Sequence, residues 1–337
     1  TGIASLLPGL ALAFLVGVTS LGIAVVETRL LGQPIVDGLV VAILLGMAIR
    51  TFWTIPPLFA EGVDFTARQL LEVAVLLLGA SVDLPLLLSA GPGLAAGIVL
   101  LVMLGLGATY GIGRALKLPH KLAVLVAGGN AICGNSAIAA LAPVIRAEKE
   151  HVASSIAFTA VLGVAVVIGL PLLIRPLGFD HYQYGVLAGL TVYAVPQVLA
   201  ATFPVSLLSG QVGTLVKLVR VMMLGPVVLF FAVTHREPAR PGTAPLRLPV
   251  TTLVPWFIVG FLLLAVLRST GMIPEPLVAA SMIASSWLTV AAMAALGLGV
   301  DIRAITRVGR PVILTVTASL AVLLLLAVAL IHLLRLR

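Results

Sequence analysis

The chain has 337 residues, of which 61% are hydrophobic and only 9% are charged. A soluble domain carries about 25% charged residues, so the composition excludes that class and predicts an all-α polytopic membrane protein in a lipid bilayer. The single cysteine excludes an internal disulfide. The formal net charge of +8 is scattered over short loops instead of forming a basic stripe, which argues against a nucleic-acid partner.

Eleven apolar segments approach the length of about 20 residues that a helix needs to cross a bilayer. In chain order they cover residues 6–26, 35–53, 66–88, 92–116, 122–145, 152–173, 184–204, 212–233, 253–267, 276–300 and 311–334. The longest polar stretch, residues 235–249, is the predicted linker between two halves. We expect residues 1–337 to form a single membrane unit of about 11 transmembrane helices.

The distribution of Lys and Arg predicts the orientation. Three basic loops follow the fourth, eighth and tenth segments, and they contain Arg114, Lys117 and Lys121; Arg236, Arg240 and Arg247; and Arg303, Arg307 and Arg310. Because basic loops stay in the cytoplasm, we expect a bacterial inner-membrane protein with its N-terminus inside and its C-terminus outside. Arg335 and Arg337 argue mildly against this orientation.

An internal repeat relates residues 35–115 (segments 2 to 4) to residues 253–334 (segments 9 to 11). A shift of 218 positions takes Arg50 to Arg268, Ile55-Pro56 to Ile273-Pro274, Gly79 to Gly297, Val82-Asp83 to Val300-Asp301 and Gly91 to Gly309. The copies begin seven segments apart, and this odd number predicts that they cross the membrane in opposite directions. Inverted repeats are typical of secondary transporters, whose substrate site lies near the bilayer midplane.

Residues 128–143, within the interrupted segment 122–145, concentrate glycine and polar residues where a plain spanning helix would be aliphatic. Glycine weakens a helix interior by roughly 1 kcal/mol, and a broken helix at membrane depth is tolerated only beside a protein-enclosed cavity. We predict a break at residues 130–134 and a second half-helix starting near Asn135 and Ser136. Its free N–H groups and positive dipole end favour an anion. The alternative is a small-residue packing face between helices.

A second interrupted segment, 184–204, contains the similar run 189–204. Pro196 cannot lie in a helix interior without freeing a carbonyl group, and Gln197 is unsuited to face lipid. Aligning the two runs pairs Gly128 with Gly189 and Pro143 with Pro204, at the cost of a one-residue insertion. The segment count makes these two segments parallel, whereas symmetry mates should be antiparallel, so the mate of the fifth segment stays open.

Three motifs carry a family resemblance: Gly-x-x-Ile-Cys-Gly at 129–134, Arg-Val-Met-Met-Leu-Gly-Pro at 220–226, and Ala-Ala-Met-Ala-Ala-Leu-Gly-Leu at 291–298. Together they resemble the YeiH-type sulfate exporter family. The resemblance implies the fold shared by bile-acid symporters and Na+/H+ antiporters, with a panel domain and a core domain of crossed discontinuous helices. It also implies an anion carrier. Residues 130–136 and 195–197 would then be the two crossover breaks.

The second break departs from that family's His-Glu-Val-Ala-Gln pattern. This chain has Tyr193-Ala-Val-Pro-Gln197 instead, and so lacks an imidazole and a carboxyl group there. The difference argues against coupling of protons or cations through this break.

The candidate substrate-binding residues are Gly129, Asn130, Cys133, Gly134, Asn135, Ser136, Pro196, Gln197 and Arg220. Amide and hydroxyl groups could bind an oxyanion or supply oxygen ligands to Na+, and the alternative is interhelical hydrogen bonding. Arg220, three residues after Lys217, offers a planar fork for an oxyanion. The alternative for both cations is to lie near the end of the segment and extend to the headgroups.

The candidate ion-coupling residues are Glu72, Asn130, Asn135 and Gln197. Glu72 is the only acidic residue well inside an apolar segment, and it could couple protons or Na+, or pair with Arg68. Asp83 and Asp301, at equivalent repeat positions, are expected to cap the helices that follow. We expect no catalytic residue, no metal site and no cofactor apart from Na+ as a coupling ion.

These patterns favour a secondary active transporter that moves a small anion by elevator-like alternating access. The expected substrate is sulfate or another sulfur-containing acid, coupled to Na+ or H+, and a homodimer is a possible assembly. A Na+/H+ antiporter is the first alternative, although neither predicted break contains an acidic residue. An intramembrane enzyme is the second, although no His-Glu-x-x-His motif occurs.

Overall fold

The computed structural model describes residues 3–31, 38–82, 91–234, 255–301, 303 and 309–336. Within these ranges the chain forms helices joined by turns and short extended segments, with no strand. The α-helices are α1 (Ile3–Leu31), α2 (Gly38–Phe52), α3 (Pro57–Phe65), α4 (Leu71–Leu78), α5 (Gly91–Ala115), α6 (His120–Gly128), α7 (Asn135–Val144), α8 (Lys149–Gly169), α9 (Ile174–Leu177), α10 (His181–Thr191), α11 (Val195–Thr202), α12 (Leu207–Met222), α13 (Leu224–Thr234), α14 (Trp256–Ser269), α15 (Glu275–Leu298) and α16 (Arg310–Leu333).

Six helical stretches are long and apolar enough to cross a membrane. They are Ser5–Arg29, Pro92–Ala115, Lys149–Leu177, Leu207–Thr234, Glu275–Leu298 and Arg310–Leu333. Shorter apolar helices include α2, α7 and α14. Large apolar side chains such as Leu15, Leu263 and Leu325 are exposed on the outer faces, as contact with lipid requires. The prediction of a polytopic α-helical membrane protein is confirmed, while the count of eleven crossings stays a prediction.

The third predicted segment, 66–88, has different limits in the structure. Its helix begins earlier, at Pro57. Proline suits the first turn of a helix, where its missing N–H group would have no helical partner. The helix then continues through a π-helical turn, Thr66–Leu70, into α4. The remainder of the predicted segment, from residue 83 on, and the predicted linker lie outside the described residues.

The helices form two packed groups. The scaffold consists of α1 to α4 with α14 and α15, and α15 packs against α1, α2 and α4. The crossover group consists of α5 to α8, α10 to α13 and α16. Within it α5 packs against α16 and α6, and α12 packs against α10 and α11. The crossover group contains both of the predicted interrupted segments.

The shift of 218 positions also relates the observed helices and their closest contacts. Gly38 and Trp256 begin α2 and α14, and 38 plus 218 is 256. A methyl group at Gly79 would lie 2.3 Å from the carbonyl oxygen of Phe261. One at Gly297 (79 plus 218) would lie 2.3 Å from that of Ile43 (261 minus 218). Each copy therefore places its glycine on the equivalent helix of the other, the reciprocal contact that two-fold related units make.

Candidate functional site at the crossing of two broken helices

The first broken helix changes direction at Gly134. Helix α6 ends in a π-helical turn, Gly129–Cys133, and α7 begins at Asn135. Gly134 between them has φ +65° and ψ −125°, a conformation that glycine adopts readily because it lacks a Cβ atom. Its N–H group still donates to the carbonyl oxygen of Gly129 at 2.8 Å. The break therefore lies inside the run 128–143.

The second broken helix is interrupted between Thr191 and Val195. Val192 and Ala194 have extended backbones, with ψ angles of 144° and 151°. Pro196 lies in the first turn of α11, where its missing N–H group interrupts no helical hydrogen bond. The side-chain Oε1 of Gln197 accepts a hydrogen bond from the Ala194 N–H group at 3.2 Å, which closes the start of α11.

The two breaks touch each other. A methyl group at Gly134 would lie 3.6 Å from Cβ of Tyr193 and 3.7 Å from its carbonyl oxygen. Helix α8 joins the starts of the second half-helices, because the Thr159 hydroxyl donates to Oδ1 of Asn135. The Thr159 carbonyl oxygen in turn accepts from Nε2 of Gln197 at 3.4 Å. We call the region formed by residues 129–136 and 191–197 the crossover.

Lys217 on α12 bridges the ends of both first half-helices. Its Nζ donates to the carbonyl oxygens of Ile132 at 2.6 Å and Val192 at 2.8 Å. These carbonyl groups are at helix C-termini, where no helical N–H group follows to pair with them and where the helix dipole is negative. The ammonium group is fully buried and supplies the missing donors.

Arg220, about one turn after Lys217 on α12, bridges the same two helix ends with its guanidinium group. Nη2 donates to Ala131 O at 2.9 Å and to Asn130 O at 3.2 Å, and Nε donates to Ala131 O at 3.3 Å. Nη1 donates to Gly189 O at 2.8 Å and Val192 O at 3.2 Å. The side chain is fully buried, so it does not extend to the headgroups. Its observed contacts stabilise the two helix ends, which differs from the predicted direct contact with an anion.

Glycines on α10 allow α12 to come close enough for these bridges. A methyl group at Gly189 would lie 2.6 Å from the carbonyl oxygen of Gly213, and one at Gly185 would lie 2.8 Å from that of Ser209. Because these two glycines have no side chain, the backbones of α10 and α12 pack directly against each other. The two cations are thus held at the breaks by the backbone approach of α10 and α12.

Asn130 is buried and joins the first break to α5 and α16. Its Nδ2 donates to Oγ1 of Thr109 at 3.1 Å and Oγ of Ser319 at 2.9 Å. Its Oδ1 is buried and has no hydrogen-bond partner among the described residues. The amide nitrogen therefore serves interhelical hydrogen bonding, the alternative considered for this residue.

The first turn of α7 is open on one side. Asn135 and Ser136 are exposed, although Ala137 and Ile138 behind them are buried completely. No side chain caps this helix through a hydrogen bond, since its N-cap residue is a glycine. The Cys133 thiol is buried and interacts with the Ala137 N–H group and the Ser136 side chain. The start of α7 therefore presents main-chain and side-chain donors on an accessible face.

Glu72 lies in the scaffold, away from the crossover residues. Its Oε2 accepts a hydrogen bond from the indole Nε1 of Trp256 at 2.7 Å. Arg68, considered as its partner, pairs instead with Asp64 at 2.9 Å. The structure thus groups the predicted sites Asn130, Asn135 and Gln197 at the crossover and leaves Glu72 between α4 and α14.

Of the two predicted helix caps, Asp301 bonds the main chain close to it. The Asp301 carboxylate accepts a hydrogen bond from the Arg303 N–H group at 2.9 Å, whereas α16 starts later, at Arg310. Asp83 lies outside the described residues.

Sequence reasoning missed Thr159, which connects both second half-helices. Lys217 was mentioned only as a neighbour of Arg220 and was not chosen as a site residue. In the structure both side chains bond carbonyl oxygens at the ends of the two first half-helices. A signal for Thr159 was present, because Ser155 and His151 precede it at four-residue spacing and form a polar face on an apolar helix.

Within the described ranges, the crossover contains no carboxylate. Neither Lys217 nor Arg220 forms an ion pair there, and no group of three or more His, Cys, Asp or Glu residues is placed to hold a metal ion. Charge at the crossover is therefore set by two buried cations and four helix ends.

These features define a polytopic α-helical membrane protein in which the breaks of two discontinuous helices are in contact. Comparison with known families is more specific: a family model described as "Conserved hypothetical protein 698" matches residues 8–316. The chain belongs to this family, the UPF0324 membrane proteins.

Similar proteins come from several bacteria. A UPF0324 membrane protein of Brucella melitensis is 53% identical over 335 residues, covering 98% of this chain and 92% of the relative. One of Bradyrhizobium diazoefficiens is 50% identical, covering 98% and 94%. One of Bacillus anthracis is 34% identical, covering 87% and 86%. No solved structure matches the chain.

Proposed function

We propose that this protein is a secondary active transporter for a small anion, with sulfate or another sulfur-containing acid as the substrate. The observation that carries the proposal is the crossover: two half-helix N-termini meet beside two buried cations, with no carboxylate among the described residues around them. Discontinuous helices whose N-termini point at an anionic group are a recurring device of secondary transporters.

The charge of the crossover favours an anion. Each helix end carries a partial charge of about half an elementary charge, positive at the N-terminus and negative at the C-terminus. The two N-termini and two C-termini therefore cancel approximately. With both side chains protonated, Lys217 and Arg220 leave about two positive charges in a region of low dielectric. An anion at the open start of α7 would reduce this excess.

Direct contacts to the anion are assigned to the second half-helices. Asn135 and Ser136 at the start of α7 are exposed, whereas the donors of Arg220 are all directed to carbonyl oxygens. Thr159 and Gln197 hold the two helix starts together. In this proposal, the buried cations set the electrostatic potential and the helix starts bind the substrate.

Alternating access is assigned to movement of the crossover group against the scaffold. The scaffold helices interlock through Gly79 and Gly297, where the backbones are in close contact and leave little room for sliding. Such a rigid frame suits an elevator-like mechanism, in which the substrate site moves as one body. Coupling to a Na+ or H+ gradient would supply the driving force.

Transport by purified protein in proteoliposomes tests the proposal. Labelled sulfate, sulfite and small sulfonates should accumulate under a suitable Na+, proton or anion gradient, or exchange in counterflow. Arg220→Met should abolish the flux, and Arg68→Met, which removes an exposed arginine of the scaffold, should leave it intact. Absence of flux for every anion under every gradient would refute anion transport. Na+-driven proton movement without an added anion would favour a Na+/H+ antiporter instead.

A further inference from the structure

One face of α8 is polar from His151 to Thr159, although the helix is apolar overall. His151, Ser155 and Thr159 follow each other at intervals of four residues, which places them on the same side of a helix. Thr159 is at the inner end and bonds Asn135 at the start of α7. His151 is in the first turn of α8, where its Nε2 lies 3.8 Å from a carboxylate oxygen of Glu148, a side chain that is 66% exposed.

Two polar atoms on this face have no partner. Oγ of Ser155 and Nδ1 of His151 are buried without a hydrogen bond to any described residue. A buried polar group without a hydrogen bond is costly, and water is the usual missing partner. Ser155 itself is 0% exposed.

The neighbouring crossover helices show that the Ser155 arrangement is not a general property of hydroxyl groups here. Thr191, Thr202 and Thr214 are also buried, and each donates to the carbonyl oxygen four residues earlier at 2.6–2.7 Å. Ser155 makes no such bond. Its hydroxyl group is therefore left to interact with something that lies between the helices.

The same face continues past Thr159 to the second break. Gly163, four residues further, leaves room for the Gln197 amide, because a methyl group there would lie 2.1 Å from Nε2 of Gln197. Helix α8 packs against both α7 and α11, the two second half-helices. From His151 to Thr159 the face extends about 12 Å, at 1.5 Å per residue. It thus joins the exposed start of α8 to the crossover.

We propose that this face of α8 lines the aqueous route by which a small hydrated anion reaches the start of α7, with Ser155 as a lining residue. The inference rests on the proposed transport function, which names the anion as the solute that passes along this face. The existence of a water-accessible route can be measured separately. In the described conformation the route is closed around Ser155, as alternating access requires of one side.

Cysteine accessibility tests the route. Cys133→Ala removes the only native thiol, and Ser155→Cys is added in that background. The probe is a membrane-impermeant anionic methanethiosulfonate, applied to the protein in proteoliposomes. Ile168→Cys is the control, since residue 168 is nine positions from Thr159 and thus on the opposite, lipid-facing side, where it is 45% exposed.

We expect Ser155→Cys to react at least about tenfold faster than Ile168→Cys, because a thiol in lipid is not ionised and the thiolate is the reactive form. This order of labelling rates is the reverse of the order of exposure in the structure, where Ser155 is 0% and Ile168 is 45% exposed. Sulfate should slow the labelling. Val152→Cys, on the same face, should also react, and it replaces the first variant if Ser155→Cys does not fold by size-exclusion chromatography.

Labelling of the polar-face cysteines that is no faster than that of Ile168→Cys would overturn the route. Fast labelling in a protein that moves no anion would support the route and refute the proposed transport function. Anion flux with unreactive cysteines at both Val152 and Ser155 would do the opposite, supporting transport and refuting the route.

Discussion

Replacement of Arg220 by methionine removes the donors that join the ends of α6 and α10, while keeping a long apolar side chain. Hydrogen bonds from a charged donor contribute about 1.5–3 kcal/mol each. The two shortest, at 2.8 Å to Gly189 O and 2.9 Å to Ala131 O, serve one helix end each. Their loss costs about 3–6 kcal/mol, and release of the buried guanidinium offsets part of this, leaving about 3 kcal/mol.

Thermal unfolding of the detergent-purified protein measures the effect. At about 2 °C per kcal/mol for a large protein, we expect the melting temperature of Arg220→Met to fall by about 6 °C at a fixed heating rate. Arg68→Met is the matched control. The Arg68 side chain is 72% exposed and pairs with Asp64, and exposed ion pairs contribute only about 0–1 kcal/mol. Equal melting temperatures for the two variants would refute the bridging role of Arg220.

Five further outcomes are expected. Gly134→Ala should destabilise the protein by about 1–3 kcal/mol, since φ +65° with ψ −125° strains any residue with a Cβ atom; an unchanged melting temperature would contradict this. Gly297→Ala should cost about 1–3 kcal/mol from its 2.3 Å approach to Ile43 O. Gly107→Ala, with open space around it, should stabilise the protein by up to about 1 kcal/mol in the same assay, because alanine is favoured over glycine in a helix interior. Trp256→Phe should cost about 1 kcal/mol through the lost bond to Glu72, and it should leave anion flux unchanged because this bond lies outside the crossover. In thermal-shift titrations, sulfate should raise the melting temperature and Na+ with an inert anion should not, since only a ligand that binds the folded form stabilises it; the reverse pattern would favour a cation site.

Much of the fold could be predicted because its information is local. Composition alone indicates apolar helices in a membrane. The repeat could be predicted because glycines recur at fixed spacing where backbones meet, as at Gly79 and Gly297. Turn residues also mark helix limits, as at the start of α3. Segment lengths were harder to predict, since a π-helical turn at Thr66–Leu70 extends one helix without any interruption in hydrophobicity.

The site was predicted less completely because its chemistry joins distant parts of the chain. The glycine-rich run indicates a break, but it does not indicate which side chain fills it. Arg220 and Lys217 reach carbonyl groups 25 to 90 residues away in sequence. Their target is main chain, which leaves no complementary acidic residue for a pattern to detect. Thr159 was missed for a similar reason: a hydroxyl group in an apolar helix usually bonds its own preceding turn, and Oγ1 of Thr159 does lie 2.9 Å from Ile156 O, so the sequence gives no sign of its contact with Asn135.

The positions of the two broken helices bear on the unresolved symmetry of the crossover. The first half of one, α6, packs against α5, and the first half of the other, α10, packs against α16. Helices α5 and α16 end at Ala115 and Leu333, which are 218 positions apart, since 115 plus 218 is 333. Equivalent partners for α6 and α10 support the alignment of Gly128 with Gly189. The pairing of these two segments stays a prediction.

The sign of the buried charge separates the two transport hypotheses by a calculable amount. At an effective dielectric of about 20, a unit charge about 6 Å from a cation interacts with it by roughly 3 kcal/mol. With both side chains protonated, and Na+ at this distance from each of Lys217 and Arg220, the two repulsions add to roughly 6 kcal/mol, which weakens binding by about 10⁴-fold; for a monovalent anion the sign reverses. A Na+/H+ antiporter would need a carboxylate to overcome this, and the described crossover contains none. Anion transport is therefore the function that these two cations favour.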